Sequence, residues 1–262
     1  MIPTPTIEER IVHELPTTRA LTVTASSSRG LDATIELTEH LVRHGFHVVP
    51  HLSARLIVDE THLKEIVDRL VVIGVDDVFV PAGDANPPVG KFDSSLGVLA
   101  ELEALGRPFA RVGITGYPES HPRILDDVTI QAMWDKRQYA NYIVSNLCFD
   151  AAVYRNWVRR VRERGVDLPI LMGLAGPVDR AKLLSVAAQV GTASATRMLR
   201  QHGAWFVRLF TPGAYEPSRL LGRLAPTLSN PSSRVTGLHV FTFNQIDKAE
   251  AWRRSLAPDH SA

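Results

Sequence analysis

Polar side chains able to bind a small heterocycle follow several hydrophobic runs along this chain. These residues are Thr24, His51, Asp84, Tyr117, Asn146 and Asn244. A neutral imidazole such as that of His51 can both donate and accept a hydrogen bond, and the carboxylate of Asp84 suits a planar array of N–H donors such as a pterin edge. These groups predict recognition of a polar ring, provided that the fold brings them together.

Each of these groups also has a purely structural interpretation. His51 taken alone is as consistent with a satisfied core histidine as with a functional one. Asp84 follows Gly83 and is also suited to capping a turn or a helix. Glu119 lies in a stiff segment flanked by prolines, which could be a well-capped loop. The prediction of a binding site therefore depends on the grouping and not on any single residue.

The hydrophobic runs recur at intervals of roughly 30 residues, which is the length of one strand–helix unit. The predicted strands are Ala20–Ala25, Phe46–His51, Asp77–Gly83, Ala110–Tyr117, Tyr142–Leu147, Leu168–Gly173 and Gly237–Phe243. Helical periodicity ended by a glycine fills four of the intervals, at Leu31–His44, His62–Ile73, Ser94–Leu105 and Ala151–Arg164. This alternation predicts one α/β domain over residues 1–262, a TIM-type (β/α) barrel with its chemistry at the C-terminal ends of the strands.

The two ends of the pattern are less regular. A helix predicted over Ile7–Leu15 immediately precedes the strand Ala20–Ala25, so no residues remain to build a strand before that helix. We therefore expect the first barrel strand to be missing or substituted. Further along, the pattern predicts helices over Arg180–Val190 and Ser194–His202, while Trp205–Phe210 is ambiguous between strand and helix.

Composition narrows the class of partner. The chain has 262 residues, of which 45% are hydrophobic, and 29 Lys plus Arg stand against 28 Asp plus Glu. A net charge of +1 gives no electrostatic basis for binding nucleic acid or an anionic membrane, so we expect a small-molecule partner, with a homo-oligomer left open. Without an export signal or a long apolar segment, the expected location is the cytoplasm.

Cysteine and histidine usage predicts neither a disulfide nor a metal site. Cys148 is the single cysteine, and its apolar surroundings indicate a buried structural thiol. His40 and His44 have the i, i+4 helical spacing that can hold zinc, but no third ligand is evident in the sequence. We predict that these two histidines lie on a solvated helix face.

Three rim segments together resemble the methylenetetrahydrofolate reductase family. They are Pro50-His51-Leu52-Ser53, Gly83-Asp84 followed by Pro87-Pro88, and Tyr117-Pro118-Glu119-Ser120-His121-Pro122. Their order and spacing match the family pattern, and the third is the most specific motif. Weaker similarities are Thr22-Val23-Thr24, Val144-Ser145-Asn146, Met172-Gly173-Leu174 and His239-Val240-Phe241-Thr242-Phe243-Asn244. The resemblance covers about residues 10–258.

The resemblance implies reduction of 5,10-methylenetetrahydrofolate to the 5-methyl compound, normally through a bound flavin (FAD) reduced by NADH or NADPH. It also implies a place in one-carbon metabolism and methionine biosynthesis. It assigns Asp84 to pterin binding, Asn146 and Tyr117 to substrate contacts, and Thr24, His51, Tyr117 and Lys136 to the cofactor site. Lys136 aligns only with a one-residue gap.

Departures from the family pattern leave several alternatives open. The family's first strand carries a Glu that acts as general acid, and this chain lacks that strand. Ala82 and Ala25 stand where the family has an Arg and a Tyr, so two flavin contacts are missing. Either hydride passes directly from nicotinamide to folate, with Glu119, Asp84 or a water as the acid, or flavin binds more weakly. A folate-binding subunit without reductase activity, or another tetrahydrofolate-dependent enzyme, are further alternatives.

Overall fold

The computed structural model describes residues 1–119, 126–177, 179 and 215–256. Parallel strands and helices alternate along the chain, as the sequence pattern predicts. The strands are β1 (Ala20–Val23), β2 (His47–Pro50), β3 (Asp77–Phe79), β4 (Arg111–Gly116), β5 (Tyr142–Ser145), β6 (Ile170–Ala175) and β7 (Val235–Phe241). The helices are α1 (Ile7–Glu14), α2 (Asp32–Arg43), α3 (Glu60–Val72), α4 (Ser95–Ala104), α5 (Asp126–Lys136), α6 (Ala151–Glu163), α7 (Pro217–Leu228) and α8 (Ile246–Leu256). Short 3-10 turns lie at Ala54–Leu56 and Pro231–Ser233.

The strands are neighbours in chain order and all pairings between them are parallel. β1 pairs with β2 from Ala20 opposite His47, and β3 to β7 form one five-stranded sheet. A single bridge between His51 and Phe79 joins the two groups of strands. This order, with a helix between successive strands, is that of a TIM-type barrel, so the predicted fold class is confirmed.

Local sequence explains where the helices begin and end. The Asp59 carboxylate caps α3 by accepting a hydrogen bond from the His62 amide, and Asp150 caps α6 in the same way. α2 and α3 are followed by Gly45 and Gly74, whose φ angles of 84° and 82° lie in the left-handed region that ends a helix. The periodic apolar positions of each helix face the strands, which builds the core between the two layers.

The N-terminal residues occupy the place of the missing first strand. The amino group of Met1 donates to the Thr22 carbonyl, and the Met1 carbonyl accepts from the Thr24 amide, both at 2.7 Å. Ile2 pairs through both its amide and its carbonyl with the side chain of Asn244, at 2.9 Å each. Met1 thus pairs with the backbone along the outer edge of β1, and α1 begins at Ile7. The expectation of a substituted first strand is met in this form.

Some predicted boundaries differ from the observed ones. β3 ends at Phe79 rather than at Gly83, because the carbonyls of Pro81 and Ala82 leave the sheet and accept hydrogen bonds from Ala54 and Arg55. The predictions for Arg180–Val190, Ser194–His202 and Trp205–Phe210 lie outside the described residues. In the ranges that are described, no helix is long and apolar enough to cross a membrane.

Candidate active site

The C-terminal ends of the parallel strands bring most of the predicted polar groups to one rim. Thr24 follows β1, His51 follows β2, Tyr117 follows β4 and Asn146 follows β5. Backbone hydrogen bonds hold neighbouring loops at this level, from the His51 amide to the Val23 carbonyl and from the Asn146 amide to the Gly116 carbonyl. These bonds join the ends of β1 and β2 and, separately, the ends of β4 and β5.

His51 is a buried imidazole with an unused nitrogen. Its exposed fraction is 9%, its ring centroid lies 4.7 Å from that of Phe79, and its Nε2 has no hydrogen-bond partner within the described residues. Burial lowers the pKa of His51 well below its ordinary value, and repulsion by the protonated forms of the Met1 amino group and His239 lowers it further. The imidazole is therefore neutral at pH 7 and keeps one nitrogen for a ligand.

Asn146 and Tyr117 add hydrogen-bonding groups to the rim. The Asn146 Oδ1 accepts from the Leu147 amide at 2.8 Å, while Nδ2 has no recorded partner among the residues described. Burial raises the pKa of Tyr117, although a hydrogen bond with Thr115 opposes that rise. The phenol therefore stays protonated, and the Asn146 amide presents donors to a bound molecule.

Glu119 connects two rim loops. Its Oε1 accepts a hydrogen bond of 2.6 Å from the Phe149 amide, which ties the loop after β4 to the loop after β5. The neighbouring Cys148 is buried, and burial raises the pKa of its thiol. The expected burial of Cys148 is confirmed, and the Glu119 carboxyl is held beside Cys148 and Phe149.

Asp84 lies on the loop after β3 and is exposed to solvent. It follows Gly83, whose φ of 88° is left-handed and where an added Cβ would lie 3.2 Å from the Ser53 Cβ. Glycine is needed there because both the backbone conformation and the approach of the Ser53 loop disfavour a side chain. The turn holds the Asp84 carboxylate free in solvent, where it can meet a ligand.

Comparison with known proteins identifies the family of this chain. The family model described as "Methylenetetrahydrofolate reductase" matches residues 6–202, which include every rim residue named above. The chain belongs to the methylenetetrahydrofolate reductase family.

Individual relatives are distant. "Methylenetetrahydrofolate reductase 2" of Saccharomyces cerevisiae is 27% identical over 101 residues, which cover 36% of this chain and 17% of the yeast protein. A 7,8-dihydropteroate synthase from Vibrio fischeri aligns over 95% of this chain and 86% of its own, with 14% identity and a TM-score of 0.40. A Burkholderia cenocepacia protein described as a lyase/mutase aligns over 88% and 89%, with 18% identity and a TM-score of 0.47.

Two residues that sequence analysis assigned to the rim are not available there. One lies elsewhere, and the side chain of the other is hydrogen-bonded to the backbone of Ile2. Lys136 is the last residue of α5, which carries the chain back from the C-terminal end of β4 toward the start of β5. It therefore lies toward the N-terminal side of the barrel, and burial lowers its pKa there. Asn244 stands at the end of β7, but its amide is used to hold Ile2. Neither residue is part of the site that we propose.

The structure adds two residues that sequence analysis did not select. His239 lies on β7 opposite Gly173, and burial lowers its pKa to about 4. The alternation Gly237, His239, Phe241 was the available signal, since residues two apart share a strand face. Arg55 packs beside Gly83, and its Nε is buried with no hydrogen-bond partner in the described ranges. No sequence pattern marks Arg55, because it reaches the Asp84 loop only through folding.

The rim fits part of the family's flavin. His51, Tyr117 and Thr24 can donate to or accept from an electron-rich ring, and the orphaned His51 Nε2 suits such a contact. Ala82 supplies no charge, and its carbonyl is already bonded to the Arg55 amide at 2.9 Å. Arg55 contacts that loop in space, since its Cβ would lie 3.9 Å from a Cβ added at Gly83. A bound isoalloxazine would supply two-electron hydride chemistry, and these residues would orient it.

Proposed function

We propose that this chain reduces the methylene bridge of 5,10-methylenetetrahydrofolate to a 5-methyl group with NADH or NADPH. The observation that carries the proposal is a family match over residues 6–202, a range that holds the buried His51, whose Nε2 has no hydrogen-bond partner among the described residues, and the exposed Asp84. The Asp84 carboxylate recognises the N–H edge of the pterin, and Asn146 and Tyr117 contact the folate. The activity of the whole protein is part of this proposal.

The reaction has two balanced steps. Protonation of N10 breaks its bond to the bridging carbon and leaves a positively charged iminium at N5. Hydride from C4 of the dihydronicotinamide then adds to that carbon, giving the methyl group and the oxidised nicotinamide. Glu119 is our proposed proton donor, because its bond to the Phe149 amide fixes the carboxyl between the loops after β4 and β5. Asp84 or a bound water is the alternative donor.

We further propose that hydride passes directly and not through flavin. Ala82 and Ala25 remove a charge and a ring that would otherwise hold FAD, and losing a charge-assisted contact costs about 1.5–3 kcal/mol, or one to two decades in affinity. The iminium is electrophilic enough to accept hydride from nicotinamide placed against it. The rim must then hold nicotinamide and pterin face to face, with His51 beside them.

The test is NADH oxidation by purified protein with 5,10-methylenetetrahydrofolate, with and without added FAD. We expect a colourless protein, without the flavin absorbance near about 450 nm, whose rate does not rise with FAD. A yellow protein whose rate depends on FAD would show that His51, Tyr117 and Thr24 suffice for flavin. A colourless protein that binds folate but never oxidises NADH would favour the folate-binding subunit.

A further inference from the structure

A cavity of about 370 Å³ lies at the opposite end of the barrel from the rim. The first residues of five successive strands line it, namely Ala20, His47, Asp77, Arg111 and Tyr142. It extends sideways into the gap between β7 and β1, where α8 covers it from outside. Met1 fills only the upper part of that gap, beside Thr22 and Thr24, so the lower part stays open.

The cavity exists because the barrel interior is underfilled at this level. Layers of large side chains normally fill the inside of such a barrel. Here Ala20 contributes little volume and no strand lies between β7 and β1 among the described residues. Its volume falls within the range of about 300–1,000 Å³ that is usual for small-molecule pockets. The space is therefore large enough for a small organic ligand.

A fixed arginine stands at the charged end of the cavity. Asp77 is buried with an exposed fraction of 3%, and its Oδ1 accepts from the Tyr142 hydroxyl at 2.8 Å. Its Oδ2 lies 3.1 Å from Nε of Arg111, whose guanidinium also lies 5.0 Å from the centre of the Tyr142 ring. Asp77 thus holds the Nε side of the Arg111 guanidinium, and the Tyr142 ring packs against it. No partner is recorded for its terminal nitrogens in the described residues.

The charge at this end is positive overall. Three guanidinium groups, of Arg19, Arg111 and Arg253, face two carboxylates, of Asp77 and Glu250. Glu250 is saturated, since it accepts from Arg253 at 2.8 and 2.9 Å and from Arg254 at 3.0 Å. Arg19 is left 3.6 Å from Glu250, with its Nε buried and without a hydrogen bond in the described ranges. With Arg254 included, four guanidinium groups stand against two carboxylates, so this end of the cavity suits an anion.

The rest of the lining is apolar. Val49, Phe79, Val144 and Leu171 line the barrel interior, and Leu238 and Val240 line the gap. We propose that this cavity binds a small amphipathic carboxylate, with its carboxylate on Arg111 and its hydrocarbon body in the barrel interior. The proposal does not depend on the reaction proposed for the rim. A phosphate dianion fits less well, because it has no hydrocarbon body to fill the apolar part of the cavity.

Octanoate is the probe, titrated into the full chain by calorimetry at pH 7.5. We expect binding at one site and a rise in the melting temperature, because a ligand that binds only the folded state stabilises it. Acetate, which lacks the apolar body, and octylamine, which has the wrong charge, should not bind. Equal binding of octylamine, or the lack of any octanoate binding, would overturn the proposal.

Two variants test whether octanoate binds in this cavity. Arg111→Met should weaken octanoate binding about tenfold or more, since a hydrogen bond to a charged group is lost. Arg69→Met, an exposed arginine on α3, is the matched control and should bind as the parent does. Val240→Phe should fill the gap and weaken binding without touching a charge. If Arg111→Met fails to fold, unchanged affinity in Val240→Phe overturns the proposal by itself.

Discussion

At the scale of single residues, the rim combines groups that differ sharply in their surroundings. Asp84 is exposed on a turn, whereas His51 is buried without a carboxylate partner among the described residues and is held neutral. A neutral imidazole and a charged carboxylate recognise different edges of a ligand, because the first can donate and accept while the second only accepts. Two predictions concern single residues, the Asp84 carboxylate and the His239 imidazole.

Asp84→Asn should weaken folate binding by about 1.5–3 kcal/mol, the range for a hydrogen bond to a charged group. The measurement is calorimetric titration of the folate substrate. Asp93→Asn is the matched control, since Asp93 is also an exposed aspartate beyond β3, and it should bind folate as the parent does. Equal folate affinity in the two variants would remove Asp84 from the site.

His239 should make the protein sensitive to acid. Burial lowers its pKa in the folded state from the ordinary 6.5 to about 4, so the unfolded chain binds the proton more readily. Stability should therefore be full above pH 6.5 and fall as the pH drops toward 4, by at most about 3 kcal/mol from this group. Urea unfolding of His239→Gln should show a smaller loss between pH 7.5 and pH 5. The exposed His13→Gln should keep the slope of the parent, and an unchanged slope in His239→Gln would contradict the assignment.

At the scale of elements, a glycine on one strand leaves room for a side chain from the neighbouring strand to pass over it. An added Cβ at Gly113 on β4 would lie 2.5–2.8 Å from atoms of the Tyr142 ring and hydroxyl. Tyr142 lies on β5 directly opposite Gly113 and crosses β4 to reach Asp77 on β3. A side chain on β4 at this point would separate the hydroxyl from the buried carboxylate.

Gly113→Ala should destabilise the fold by about 1–3 kcal/mol, because it displaces Tyr142 and leaves Asp77 with an unmet hydrogen bond. Urea unfolding measures this. Gly222→Ala is the matched control, since Gly222 lies inside α7 with nothing within 4 Å of an added Cβ. Alanine there should stabilise by about 0.5–1 kcal/mol. A neutral Gly113→Ala would mean that Tyr142 can move without cost.

The elements were predictable from sequence to the extent that their signals are local. The helix-to-glycine junctions and buried apolar strands gave the strand order, and the short spacing before Ala20 indicated the substituted first strand. Lys136 was assigned by similarity, but its place at the end of α5 follows from helix direction, which a gapped alignment ignores. Arg55 and the pairing of Asn244 with Ile2 could not be predicted, since each depends on residues far apart in the chain.

At the scale of the whole molecule, closure depends on a few polar contacts. Asn244 adopts a φ of 58°, holds both backbone groups of Ile2, and offers its own carbonyl to Arg10 at 2.9 Å. These contacts fasten α1 and the residues before it to the end of β7. Two paired strands normally share many backbone hydrogen bonds. Here only a few contacts among the described residues join the N-terminal residues to the end of β7, so the loss of one should have a larger effect on stability.

Asn244→Ala should cost about 1–3 kcal/mol, because two backbone groups of Ile2 lose their partner and alanine disfavours a positive φ. Proteolysis of the N-terminal segment should also become faster, as residues held at one side only open more often. Asn156→Ala, on the exposed face of α6, is the control and should change neither quantity appreciably. Unaltered stability and cleavage in Asn244→Ala would show that Met1 and Arg10 suffice.

The contact between Ile2 and Asn244 spans 242 positions in the chain. This contact cannot form until residue 244 has been synthesised. Ile2 therefore lacks its final partner during almost the whole of synthesis. During that time the outer edge of β1 lacks its partner and can pair with other nascent chains. The joining of the N-terminal residues to the end of β7 should therefore be a late step of folding, preceded by an interval in which that edge is exposed.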